Sequence, residues 1–148
     1  MDISKDIGST GIKLFSYELK KELNFGNLRE SYFQAVSNSS WANEGYLVAS
    51  DIDQDEEFQQ EIKRLNNSFG IGLIRLDVEN PDSSEIIYPS RQKDIADIET
   101  INKIAQINPN FRDFLKRIKS DLYSREIRKE KYDKIYDPEY LLNKNGLK

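Results

Sequence analysis

Hydrophobic and polar residues alternate with period two from Phe15 to Lys20, and over an extended 12–20 the side chains of Ile12, Leu14, Ser16, Glu18 and Lys20 fall on one side and those of Lys13, Phe15, Tyr17 and Leu19 on the other. That alternation predicts a strand, and Asn24-Phe25-Gly26 ends it. Leu28, Tyr32, Ala35, Val36 and Ser39 then recur at helical spacing, with Asn27 and Glu30 placed as a capping box and Gln34, Ser37 and Asn38 on the more polar side. The turn signal Asn43-Glu44-Gly45 precedes residues 46–50, an unbroken apolar run of the kind found in buried parallel strands. Phe58, Ile62, Leu65 and Phe69 predict one face of a second helix, closed by Gly70, and residues 71–77 predict a further buried strand. The acidic run 51–57 between them lacks the glycine and ligand order of a calcium loop and reads as a connector with helix-start acids. Strand, helix, strand, helix, strand implies parallel strands joined by right-handed crossovers.

The pattern changes after the turn at residues 80–84 and the short edge strand expected over 85–89. Ile95, Ile98, Ile101, Ile104 and Ala105 make one helical stripe, and Phe111, Phe114, Leu115, Ile118 and Leu122 make another. Asn108-Pro109 supplies a cap and a first-turn proline between them, so the two predict a helical hairpin. Residues 124–148 are densely charged, and Tyr132, Tyr136 and Tyr140, with Tyr123 just before them, are interspersed among Lys and Arg. Basic and aromatic residues so mixed are able to track a nucleic-acid strand, although most such segments are simply solvated. The division expected is a domain over 1–122 and a charged extension over 123–148.

Composition narrows the chemistry. The 148 residues include no histidine and no cysteine, which removes imidazole mechanisms, thiol nucleophiles, disulfides and the usual structural zinc sites. Catalysis, if any, falls to carboxylates, Lys, Tyr or Ser, and an oxygen-rich ligand set favours Mg²⁺ or Mn²⁺ over softer ions. A net charge of −4 gives no whole-domain basic footprint. No apolar run is long enough to span a membrane and the first residues lack the apolar core of a signal peptide, so a soluble cytoplasmic protein is expected.

Within the first strand, Glu18 and Lys20 stand two residues apart and so share a face, a suitable place to hold a cation and a water. The same residues are good helix formers, and in a helix they would point apart; the alternation through Tyr17 and the turn at 24–27 favour the strand.

Glu18-Leu19-Lys20 on a strand, followed by helix and strand, resembles the PD-(D/E)XK nuclease superfamily. The longer blocks over residues 15–22 and 32–46, including Phe15-Ser16-Tyr17-Glu18 and Ser40-Trp41-Ala42-Asn43, resemble the C-terminal domain of HrgA-type proteins of bacterial restriction–modification loci. The resemblance implies an α/β fold with a restriction-endonuclease-like mixed sheet flanked by helices, carrying a C-terminal helical hairpin, and a metal-dependent DNA endonuclease activity. It implies Glu18 as metal ligand, the Leu19 carbonyl as another, Lys20 acting on the attacking water, and Gln34 in support from the next helix. Ser16, on the same strand face as Glu18, either supports the site or fills it. Mg²⁺ (or Mn²⁺) is the implied cofactor and DNA the implied partner.

The superfamily core places a helix and two strands before its Glu-x-Lys strand, and here eleven residues precede Ile12. The metal-binding Asp is therefore sought at Asp2, or at Asp6, and the chain is expected to be N-terminally truncated relative to that core. A strand lacking its edge partner would expose apolar residues, which predicts a homodimer. The alternative to a nuclease is a non-catalytic module of the same fold that binds nucleic acid or protein.

Overall fold

A computed structural model describes residues 12–94 and 96–144. Among these are four strands and five α-helices: β1 (Phe15–Leu23), α1 (Leu28–Asn38), β2 (Glu44–Ile52), α2 (Glu56–Phe69), β3 (Gly72–Arg75), β4 (Glu85–Tyr88), α3 (Ile98–Ile107), α4 (Pro109–Ser124) and α5 (Pro138–Lys144). Through α4 the order is the one the alternation and helical stripes predict, and the residues from Glu18 to Leu23 belong to a strand rather than a helix. The loop read from residues 8–11, Asp2, Asp6 and the first stripe residue Ile95 lie outside the described residues.

The chain divides into two compact units, one of which is Lys13–Ala96. Its sheet runs β1-β2-β3-β4, with β1, β2 and β3 parallel and β4 antiparallel to β3. This is an α/β arrangement with a mixed sheet. Register sets Glu18 beside Leu47 and Lys20 beside Ala49, so these four share a face. Leu28, Tyr32 and Ala35 of α1 and Phe58, Ile62 and Leu65 of α2 form one core with Leu47, Ala49 and Leu73. Both crossover helices thus cover the same side of the sheet, as successive crossovers of one hand require when strand order follows chain order.

Local chemistry explains the element ends. Asp55 accepts a hydrogen bond from Glu57 N at 2.9 Å and caps α2, whose first turn holds Glu56 and Glu57. The acidic run is therefore split: Asp51 and Ile52 close β2, and the remainder starts a helix. Gly70 ends α2 with φ 76°, a left-handed conformation that glycine adopts without a Cβ penalty. At Gly72 a Cβ would meet the Tyr46 ring of the neighbouring strand, so the missing side chain lets that ring lie across β3.

Three expectations need correction. Asn27 makes no side-chain cap to α1. It accepts from Asn24 N at 2.9 Å and donates to Glu22 O at 2.8 Å, so it closes the turn after β1 instead of completing a capping box with Glu30. Phe69 is 46% exposed. It is the last residue of α2, where the stripe has rotated away from the sheet, and it packs edge-on against Phe33 at 5.0 Å. The third strand stops at Arg75: Leu76 N makes the last ladder bond, to Ala49 O, and Asp77 then accepts from Glu79 N and Asn80 N in a turn of its own.

The second unit takes in α3, α4 and the segment that follows. Asn108 caps α4 by accepting from Phe111 N at 3.1 Å, with Pro109 in the first turn, as the sequence predicts. α3 packs against α4, with Ile101 and Leu115 buried. The charged segment is partly anchored: Tyr132 donates to Asp121 of α4 at 2.8 Å and lies edge-on to Phe114. Burial and the Asp121 hydrogen bond push the Tyr132 hydroxyl up to about 12.

Candidate functional site

Alternation along β1 turns Ser16, Glu18 and Lys20 toward α1, and the helix presents Gln34 and Asn38, one turn apart, to them. Four side chains then join in one polar network. Lys20 Nζ donates to Gln34 Oε1 at 2.6 Å and stands 3.3 Å from Glu18 Oε1. Asn38 Nδ2 donates to Glu18 Oε2 at 2.8 Å. Ser16 Oγ donates to the Asn38 carbonyl at 3.3 Å, tying the strand to the end of the helix.

Glu18 is 20% and Lys20 29% exposed, so both heads reach solvent from a half-covered position. An ion pair in that setting contributes about 0–1 kcal/mol. What the arrangement fixes is orientation: Glu18 is held at both oxygens, and Lys20 is held between an amide oxygen and a carboxylate. A carboxylate and an ammonium so placed can bind a cation beside a water, or position a phosphate oxygen against the ammonium.

The structure thus brings Glu18, Lys20 and Gln34 together, with Ser16 at the margin. Leu19 sits between the first two, its side chain on the opposite face and 67% exposed. Asp2 falls outside the described residues. Asn38 is the member that the sequence did not single out. Its signal was present in outline, since it follows Gln34 by one helical turn and so shares its face.

Among the described residues no three of His, Cys, Asp or Glu come together. Glu18 and the Leu19 carbonyl offer a carboxylate and a carbonyl oxygen, and Mg²⁺ is commonly held by one or two carboxylates with water completing its shell; both Glu18 oxygens already accept from the protein, so a cation there would share the carboxylate with Lys20 and Asn38.

On the other face of β1, Phe15, Tyr17 and Leu19 are exposed. Tyr17 stacks between Phe15 at 6.5 Å and Tyr46 at 5.8 Å. No helix among the described residues is long and apolar enough to cross a membrane.

Comparison with family models, with curated proteins and with solved structures finds no match for the chain. Its class rests on its own geometry: an α/β protein whose first crossover joins a strand carboxylate and lysine to two amides of the following helix.

Proposed function

We propose that this chain is a metal-dependent DNA endonuclease-like domain of restriction or defence type, built on the PD-(D/E)XK plan, that hydrolyses phosphodiesters with the Glu18 cluster as its centre. The observation that carries this is the convergence of Glu18, Lys20 and Gln34 from a strand and its crossover helix within hydrogen-bonding reach of one another. The parallel order of β1, β2 and β3 supports the same plan.

Mg²⁺ or Mn²⁺, when bound, would supply an acidified water and charge neutralisation at the phosphate. Glu18 and the Leu19 carbonyl would hold it, and the proposal requires Asp2 as a second carboxylate. Lys20 would face the attacking oxygen or the charge developing on phosphate. Gln34 keeps the Lys20 ammonium on the Glu18 side, and Asn38 fixes the carboxylate plane. The test is cleavage of supercoiled plasmid in Mg²⁺ or Mn²⁺, lost with EDTA and in Glu18→Ala and Lys20→Ala.

One observation favours a second reading, a binding module without catalysis: Glu18 is already neutralised by Lys20 and held by Asn38. Such a module would retain DNA in chelator and release it as salt rises. A mobility-shift titration in EDTA separates the two, since the nuclease reading expects tight complexes only with divalent cation.

A further inference from the structure

Within the unit Lys13–Ala96 there is a cavity of about 260 Å³ that shares no lining side chain with the Glu18 cluster. It lies between the C-terminal ends of α1 and α2 and the segment after β4. Val36, Phe69 and Ile71 give it an apolar lining, and Arg91 and Lys93 stand at its edge. Among the described residues no Asp or Glu lines it, although acidic residues outnumber basic ones in the chain, 26 to 22.

Both cations are exposed to solvent, yet each is tied to the fold by a backbone bond and a side-chain bond. Arg91 N donates to Gly70 O at 2.8 Å, and Lys93 N donates to Asn43 O at 2.9 Å while Asn43 Nδ2 returns a bond to Lys93 O. Their side chains each use one donor on a carbonyl near a helix end: Arg91 Nη2 on Asn67 O at 2.9 Å, and Lys93 Nζ on Ser40 O at 3.3 Å. Those bonds hold the heads in place. A guanidinium carries five N–H groups and an ammonium three, so most of the donor capacity remains for a ligand.

Helix capping alone accounts for one bond from each residue. It does not account for two cations lining one partly apolar cavity in whose lining, among the described residues, no carboxylate appears. An occupant complementary to this lining has an apolar body and an anionic oxygen head, because the head meets charge-assisted donors while the body covers Val36, Ile71 and the Phe69 ring. The field of Arg91 also reaches the Tyr32 hydroxyl beside Ile71, opposing the effect of burial there.

We propose that this cavity binds a small organic oxyanion, an apolar or aromatic group bearing one phosphate or carboxylate, with Arg91 and Lys93 on the head. The proposal does not rest on the nuclease reading. Its size suits a fragment-sized ligand, or the terminal group of a longer molecule, and not a large cofactor.

The test is a ¹H–¹⁵N NMR titration of the full chain with phenyl phosphate, alongside inorganic phosphate, benzyl alcohol and a short 5′-phosphorylated oligonucleotide. Phenyl phosphate is expected to give saturable shifts centred on the amides of Gly45, Gly70, Ile71 and Ser90. Benzyl alcohol should bind at least about tenfold more weakly, the loss of one charge-assisted contact. Lys93→Gln and Arg91→Gln should each weaken phenyl phosphate about tenfold. Because Arg91 also holds the end of α2, Lys93→Gln in a chain with an unchanged spectrum elsewhere is the deciding variant. Shifts by the oligonucleotide at the same amides would uphold the site and identify a strand end as the source of the head; response to phenyl phosphate alone would uphold it with a free small molecule. No saturable shift by phenyl phosphate or the oligonucleotide, or unchanged affinity in Lys93→Gln, would overturn the proposal.

Discussion

Asn27 and Asn38 bracket α1, and each acts away from the helix it bounds. Asn27 closes the turn behind β1, whereas Asn38 reaches across to the Glu18 carboxylate. A side-chain cap does form at Asp55, so Asp55→Ala should lower stability by about 1 kcal/mol in urea denaturation, the usual value of an N-cap. Tyr32 makes a sharper case. Its hydroxyl donates to Ile71 O at 3.3 Å and accepts from Ile71 N at 3.2 Å, and burial pushes its pKa up to about 12 against the combined pull of that hydrogen bond and Arg91. The folded state therefore keeps Tyr32 protonated where the unfolded chain, with a pKa near 10, releases the proton. Its contribution is complete below pH 10 and is lost as pH rises through about 12. The stability difference between wild type and Tyr32→Phe should accordingly be constant below pH 10 and shrink above it, as followed by denaturation at stepped pH.

At the scale of elements, β1 was legible because apolar and polar residues alternate from Phe15 to Lys20, and that period places Glu18 with Lys20. The crossover order followed from β2 and β3, whose apolar runs lie between helical stripes. Leu47, fully buried at the centre of β2, joins both helices to the sheet, so Leu47→Ala should cost about 2–5 kcal/mol. Leu19→Ser, on the exposed face of β1, should stay within about 0.5 kcal/mol of wild type. Equal losses in the two variants would mean that the helices do not cover the Leu47 face. Other features were not legible, for definite reasons. Phe69 fits the α2 stripe by spacing, but a helix end does not decide which neighbour a side chain meets. The charged segment after Ser124 shows no strong stripe, and what anchors it is the pairing of Tyr132 with Asp121 across a turn. The cavity edged by Arg91 and Lys93 joins three segments distant in sequence, and no local pattern announces it.

For the whole molecule, sequence and structure meet at the Glu18 cluster. The Glu-x-Lys spacing and the helical position of Gln34 were readable residue by residue, and the fold sets them in contact. The ligand count was not readable, because it depends on what Asp2 does. A domain of this charge, −4 overall, has little long-range attraction for DNA, so binding would depend on local contacts and on a cation between carboxylate and phosphate. The most direct measurement is a nicking time course on supercoiled plasmid with wild type, Glu18→Gln, Lys20→Ala and Asp2→Asn, each in Mn²⁺ and in EDTA. The account predicts metal-dependent nicking by wild type and a loss of at least about a hundredfold in each variant, the scale of removing one group that acts in the transition state. Wild-type protein that is folded and leaves the plasmid intact, or nicking that survives Glu18→Gln, would contradict it.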